Sequence, residues 1–153
     1  MKSQYSVELI NLLKNVAVKR GEFRLRSGEI SDYYIDVRQA SLSGEGSIIL
    51  SEAILDCIPQ GVKTIGGLEL GSASIVGSVI SYSYLLDYLS GDINGFIVRK
   101  NQKSYGTGQR IENCPQSGTR VILIEDATTT GLSLLSAIQA VEAEGLEVVL
   151  ALA

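Results

Sequence analysis

The residues with the most chemical content form one run: Glu125, Asp126, Ala127, Thr128, Thr129, Thr130, Gly131, Leu132 and Ser133. They follow the β-formers Val121 to Ile124, which read as a parallel strand buried on both faces. A helix pattern then runs from Leu132 to Glu144, with Leu134, Leu135, Ile138 and Val141 on its inner side. Ligands of open α/β sheets bind at the carboxyl ends of the strands. A helix N-terminus at that edge offers unpaired N–H groups and the positive end of the helix dipole. Threonine hydroxyls add donors, and Gly131 lets the backbone approach an anion, so Thr129 to Ser133 reads as a phosphate cradle. Glu125 and Asp126 would repel a phosphate and need a different partner, such as a sugar diol that donates hydrogen bonds to them. Together these features describe a site for a 5-phosphorylated ribose. The plainer alternative is a Thr-rich helix cap beside two solvated acids. The loop contains neither GK[ST] nor GxGxxG, so it is not a Walker loop or a dinucleotide fingerprint.

Two further groups carry chemistry. Arg99, Lys100 and Lys103 open a polar stretch, Asn101 to Gly118, that has no apolar period and reads as a long functional loop. Its cations form either a solvated basic turn or a site that neutralises pyrophosphate. Nearer the amino terminus, Phe23 and Leu25 alternate with charged residues, Gly28 turns the chain, and Tyr33 to Val37 resumes as a strand. This hairpin presents Arg26, Ser27, Tyr33, Tyr34 and Arg38. Its tyrosines are either ordinary strand residues or a surface for a flat ring.

The elements that must position these residues follow from the apolar pattern. Helices are expected from Ser6 to about Lys19 with Gly21 as the stop, and from Ser43 or Gly44 to about Ile58, ended by Pro59 and Gly61. A Ser-, Ala- and Gly-rich helix is expected after Gly71 to about Tyr88. Strands are expected over Val62 to Gly66, Gly95 to Arg99, Val121 to Ile124 and Leu146 to Leu152. This alternation predicts a three-layer α/β domain with a mostly parallel central sheet. A chain of 153 residues with 45% apolar content fits a single domain with an ordinary core.

Composition removes several classes of function. With no histidine, His-based zinc sites and Ser-His triads are excluded. The two cysteines, Cys57 and Cys114, form no CxxC pair. A net charge of -4 argues against broad nucleic-acid binding. The start MKSQYSVELINLL does not read as a signal peptide, so a cytoplasmic location is expected. The uncharged run Leu70 to Leu86 is interrupted by Gly, Ser and Tyr and suits a buried helix better than a membrane span.

VILIEDATTTGLS resembles the signature of type I phosphoribosyltransferases, which use phosphoribosyl pyrophosphate (PRPP). GEFRLRSGEISDYYIDVR, GGLELGSASIVGSV and FIVRKNQKSYGTGQRIE resemble, in the same order, blocks of the orotate phosphoribosyltransferases. The resemblance runs from about Leu9 to the last residue. It implies a type I phosphoribosyltransferase-like fold: an amino-terminal base-binding hood over about residues 1–40 and a core over 60–153. It also implies transfer of a 5-phosphoribosyl group from PRPP to orotate. Mg²⁺ would be the cofactor, held mainly by PRPP and water rather than by the protein. By the same resemblance, Lys103, Glu125 and Asp126 are catalytic. PRPP is bound by Arg99, Lys100, Lys103 and Tyr105 together with the whole run Glu125 to Ser133. Arg26, Tyr33, Tyr34 and Thr129 bind the base. The implied assembly is a homodimer in which the RKxxKxxG loop reaches the neighbouring site, with no nucleic-acid or membrane partner.

Three places depart from the family pattern. Tyr105 stands where a histidine is common. GGLELGSASI has Glu69, Ala73 and Ser74 where the pattern GGxTxGADPI has Thr, Asp and Pro. Glu69 adds negative charge on the pyrophosphate side, which is unfavourable unless Mg²⁺ or a lysine offsets it. The sequence ends at Ala153, before a segment that in the family carries an arginine to the orotate carboxylate, so a short or truncated form is expected. Two other readings stay open: transfer to a different base, and a non-catalytic PRPP- or nucleotide-binding regulator.

Overall fold

The computed structural model describes residues 4–25, 28–86, 93–101 and 109–153. The chain starts with α1 (Gln4–Val16) and a hairpin of β1 (Val18–Arg24) and β2 (Ile30–Ile35). The short α2 (Arg38–Ser41) and α3 (Gly44–Leu55) follow, then β3 (Thr64–Leu68), α4 (Gly71–Leu85) and β4 (Asn94–Val98). The last part holds β5 (Ile111–Glu112), β6 (Arg120–Ile124), α5 (Leu132–Ala143) and β7 (Glu147–Leu152). β1 and β2 form their own antiparallel sheet. The remaining strands form one sheet in the order β5-β4-β3-β6-β7, parallel except for β5.

The pleat of β6 explains the three layers. Successive side chains of a strand point to opposite faces. Ile122 and Ile124 face a core built with Leu50 and Ile54 of α3 and Ile75, Val76 and Val79 of α4. Val121 and Leu123 face the other core, with Ala137 and Val141 of α5 and Phe96 and Val98 of β4. None of these four β6 side chains is more than 3% exposed. Burial of each stabilises by about 1.5–3 kcal/mol, which is why a continuous apolar run suits this position. β3 brings a second requirement. A Cβ at Gly67 would lie 2.7 Å from the Ser72 Cβ and 2.8 Å from a Val76 methyl, so glycine lets α4 rest directly on the sheet.

Several boundaries differ from the sequence expectation. α1 begins at Gln4, so Ser6 lies inside the helix rather than capping it. Gly21 does not stop a helix. It lies within β1, where the register shifts between Arg20 and Phe23 and its φ of 150° accommodates the irregularity. α3 is capped as expected, since the Ser43 hydroxyl accepts from the Gly46 N–H at 3.1 Å, but it ends at Leu55. β3 starts at Thr64 instead of Val62. The polar stretch after β4 contains β5, whose two residues are too short to show a period. Leu135 is 51% exposed because the inner stripe of α5 runs through Leu134, Ala137, Ile138 and Val141, one position off. Among the described residues no helix is long and apolar enough to cross a membrane.

Candidate active site

β6 delivers the two acids to the carboxyl edge of the sheet. The Glu125 N–H donates to the Leu152 carbonyl at 2.9 Å, so pairing with β7 extends one residue past the strand and holds Glu125 at the rim. The Glu125 side chain is buried, and its Oε2 has no hydrogen-bond partner among the described residues. Burial pushes its carboxyl above the usual glutamate range, the neighbouring Asp126 charge pushes it further, and the Thr128 hydroxyl opposes both. Asp126 is half-buried and lies against the first residue of α4. A Cβ at Gly71 would overlap its carboxylate, so glycine is required there.

The turn from β6 into α5 is held open by its own side chains. Gly131 has φ 73° and ψ -1°, the left-handed region that favours glycine. Its N–H donates to the Thr128 hydroxyl oxygen at 3.0 Å, and the Leu132 N–H approaches the Thr130 hydroxyl at 3.5 Å. Both hydroxyls accept from the backbone; the Thr128 O–H is engaged with the Glu125 carboxylate, and Thr130 keeps its O–H to donate. The Leu135 N–H donates to the Gly131 carbonyl at 2.9 Å and opens the helical ladder. The N–H groups of Ser133 and Leu134 precede it at the positive end of α5. Ala127, Thr128, Thr129, Thr130, Leu132 and Ser133 are all exposed. An anion can therefore reach this turn.

The cationic side sits two strands away, at the end of β4. Arg99 is locked by a backbone bond from its N–H to the Arg110 carbonyl at 2.8 Å. Its guanidinium lies between Glu112 at 3.2 Å and Glu69 at 3.9 Å. Glu69 also accepts from the Lys100 N–H at 2.8 Å, while its own N–H donates to the Val98 carbonyl at 2.9 Å. The peptide bond between Glu69 and Leu70 is cis. The negative charge of Glu69 is thus met by an arginine and a backbone amide. Lys103, Tyr105 and Arg26 lie outside the described residues.

The hairpin presents both tyrosines, 46% and 38% exposed for Tyr33 and Tyr34. Being adjacent on β2, they point to opposite faces. The Arg20 guanidinium lies 5.9 Å from the Tyr33 ring centre, whereas the Tyr34 ring lies 5.7 Å from that of Phe23.

Just past β2 is a residue that sequence reasoning missed. Asp36 is buried and accepts from Arg38 Nε at 2.7 Å and from Gln39 Nε2 at 3.2 Å, with Lys19 Nζ at 4.0 Å. The Arg38 bond holds its carboxyl below the usual aspartate range, against the opposing effect of burial. Arg38 in turn is stabilised as a cation by its bond to Asp36. A hydrogen bond of 2.8 Å between the Ser41 and Ser74 hydroxyls ties α2 to the first turn of α4 beside it. The available signal was a lone carboxylate in the apolar stretch YYIDV followed at once by Arg and Gln.

No family model matches the chain. Orotate phosphoribosyltransferase of Rhodopirellula baltica is 37% identical over 147 residues, covering 92% of this chain and 75% of that protein. The crystal structure of Mycobacterium tuberculosis orotate phosphoribosyltransferase in complex with Fe(III) dicitrate matches with a TM-score of 0.78 at 32% identity, covering 97% of this chain and 82% of the other. That enzyme in complex with PRPP matches with a TM-score of 0.73 at 30% identity, over 97% of this chain and 81% of the other. The fold is that of the type I phosphoribosyltransferases, with acids and an open Thr-Gly turn at the end of β6. Within that class, the chain belongs to the orotate phosphoribosyltransferase family.

Proposed function

We propose that this protein transfers the 5-phosphoribosyl group of PRPP to orotate, giving orotidine 5'-phosphate and pyrophosphate. The observation that carries the reading is the pairing of Glu125 and Asp126 with an open phosphate-accepting turn at one strand end, in a chain of this family. The Glu125 Oε2, buried without a donor, is suited to accept from a ribose hydroxyl. Asp126 holds the second hydroxyl. The run Ala127 to Ser133 takes the 5-phosphate through backbone N–H groups and threonine hydroxyls. Orotate N1 attacks the anomeric carbon as the bond to pyrophosphate breaks. Orotate is already an anion, so the step needs little help from a base, which suits a chain without histidine.

Arg99, Lys100 and Lys103 stabilise the charge that develops on pyrophosphate, with Tyr105 donating to it. Tyr33, Tyr34, Arg26 and Thr129 line the base side. Among the described residues no group of three or more ligating side chains lies together. The Glu125 and Asp126 carboxylates suit ribose hydroxyls, and an Mg²⁺ ion would be held mainly by PRPP oxygens and water. When bound, that ion neutralises the leaving pyrophosphate. The hood over about residues 1–40, the core over 60–153, a homodimer sharing the Lys103 loop and a cytoplasmic location belong to the same proposal.

The test is to mix the protein with PRPP, Mg²⁺ and orotate and follow the loss of orotate absorbance. Turnover of uracil or a purine base in place of orotate would sink the specificity. Lys103→Ala should lower turnover by about 10²–10³-fold while PRPP binding changes far less. An unchanged rate removes the role given to Lys103. A second reading, PRPP binding without turnover, is favoured by the engagement of Arg99 with Glu69 and Glu112. It predicts measurable PRPP binding and no product with any base.

A further inference from the structure

Two anion-accepting features flank β3. The Thr-Gly turn follows β6, and the Arg99–Lys100 corner follows β4. Neighbouring strands lie about 4.8 Å apart, so two steps of the sheet separate these features by roughly 10 Å. That suits a ribose carrying phosphates on both C5 and C1. The end of β3 lies between them, and its next residue is Glu69. A carboxylate here is the wrong sign for a passive wall. Its contacts explain its presence, because Oε1 takes the Lys100 N–H at 2.8 Å and Oε2 faces the Arg99 guanidinium at 3.9 Å.

We infer that Glu69 is an internal occupant of the pyrophosphate-side anion site, sitting on the donors that the phosphates of the ligand must take over. This rests on the PRPP reading above. The Arg99 half of this hold is weak in its geometry. The Arg99 contact exceeds hydrogen-bond length, and both side chains are 31% exposed. A pair of that kind biases an equilibrium by about fivefold or less. The guanidinium is not saturated either, since Arg99 Nε is buried without an acceptor among the described residues. A phosphate brings more charge than a carboxylate and accepts two parallel donors from arginine, so it can displace Glu69. The consequence is a standing penalty on pyrophosphate affinity, which favours release of the product from this side. In the cradle after β6 the Gly131 and Leu132 N–H groups meet only the neutral Thr128 and Thr130 hydroxyls, so the penalty of a competing carboxylate is confined to one end of the ligand.

The experiment titrates the full chain with inorganic pyrophosphate and, separately, ribose 5-phosphate by calorimetry, comparing wild type with Glu69→Gln. Glu69→Thr serves as the second variant, and melting temperatures confirm that each chain is folded. Both variants should bind pyrophosphate about three- to fivefold more tightly, with ribose 5-phosphate unchanged within about twofold. Unchanged or weaker pyrophosphate binding overturns the inference. Equal tightening of both ligands overturns it as well, because that is a general charge effect. Absence of pyrophosphate binding in every chain also overturns it. Orotate turnover by the wild type decides the transferase reading independently, so turnover with unaltered pyrophosphate affinity sinks the role of Glu69 alone.

Discussion

Asp36 and Glu125 are buried to nearly the same depth, 8% and 9% exposed, yet their carboxyl groups are pushed in opposite directions. Asp36 sits where β2 passes into α2 and is surrounded by donors: Arg38, Gln39 and Lys19. Glu125 sits at the end of β6 beside another acid, and one of its oxygens has no partner among the described residues. Similar exposure therefore gives unequal consequences, because desolvation dominates at Glu125, where a single Thr128 hydroxyl opposes it, and not at Asp36, where an arginine hydrogen bond outweighs it. The difference separates two kinds of acid. Asp36 is complete within the chain and holds Arg38 and Gln39 where β2 passes into α2. Glu125 is incomplete within the chain, and in the proposed function the ligand completes it.

The comparison breaks most sharply at Glu125. Glu125→Gln keeps the shape and removes the charge that would hold a ribose hydroxyl. Turnover with PRPP and orotate should fall about 100-fold, since a small misplacement of the sugar costs about that much. The same variant should melt higher than wild type at neutral pH, because it no longer buries a charge with one unpartnered oxygen beside the like charge of Asp126. Lower activity together with higher stability marks a ligand-facing acid. Steady-state rates and melting curves of one preparation check both halves. A variant that loses stability in parallel with activity would place Glu125 in the scaffold instead.

Asp36→Ala should show the opposite balance. It leaves Gln39 and Arg38 without their shared acceptor, and about 1.5–3 kcal/mol of stability should be lost. Denaturant midpoints measure this. Turnover should fall by less than in Glu125→Gln, because Arg38 acts on the site only through its neighbours. If Asp36→Ala keeps wild-type stability, the cluster around it is a surface feature and the comparison with Glu125 fails.

How much of this was legible beforehand depended on sequence distance. The cradle was readable because strand, acids, threonines, glycine and helix follow one another within one short stretch, and each residue type has a local reason to be there. β6 was readable because four apolar residues buried on alternate faces make an uninterrupted run. α2 and β5 were not, since elements of four and two residues carry no period. The placement of Gly21 depended on a strand irregularity that only pairing with β2 reveals. The charge of Glu69 was visible, but its partners lie about thirty residues on and meet it only because β4 lies beside β3. The hydrogen-bond donors of Asp36, Arg38 and Gln39, are close in sequence, yet its burial is a tertiary fact that an isolated D-x-R-Q does not announce.

The smallest effect is the most discriminating, because it depends on sign alone. Glu125 has a carboxyl raised above its ordinary 4.5, so its contribution to stability is fully present below that value. It is lost as pH rises through the higher folded-state value. Asp36 is lowered below its ordinary 3.8, so its contribution is present above that value and is lost as pH falls through the lower folded-state one. The melting-temperature gap between Glu125→Gln and wild type should therefore open as pH rises above 4.5, reaching about 2–4 °C for each kcal/mol gained. The gap between wild type and Asp36→Ala should stay flat across the same range and narrow only below 3.8. Melting curves of the three chains at closely spaced pH values test both together. Gaps that both open, or both close, in one direction would show that the two acids share one environment, and the division between scaffold and ligand site would be lost.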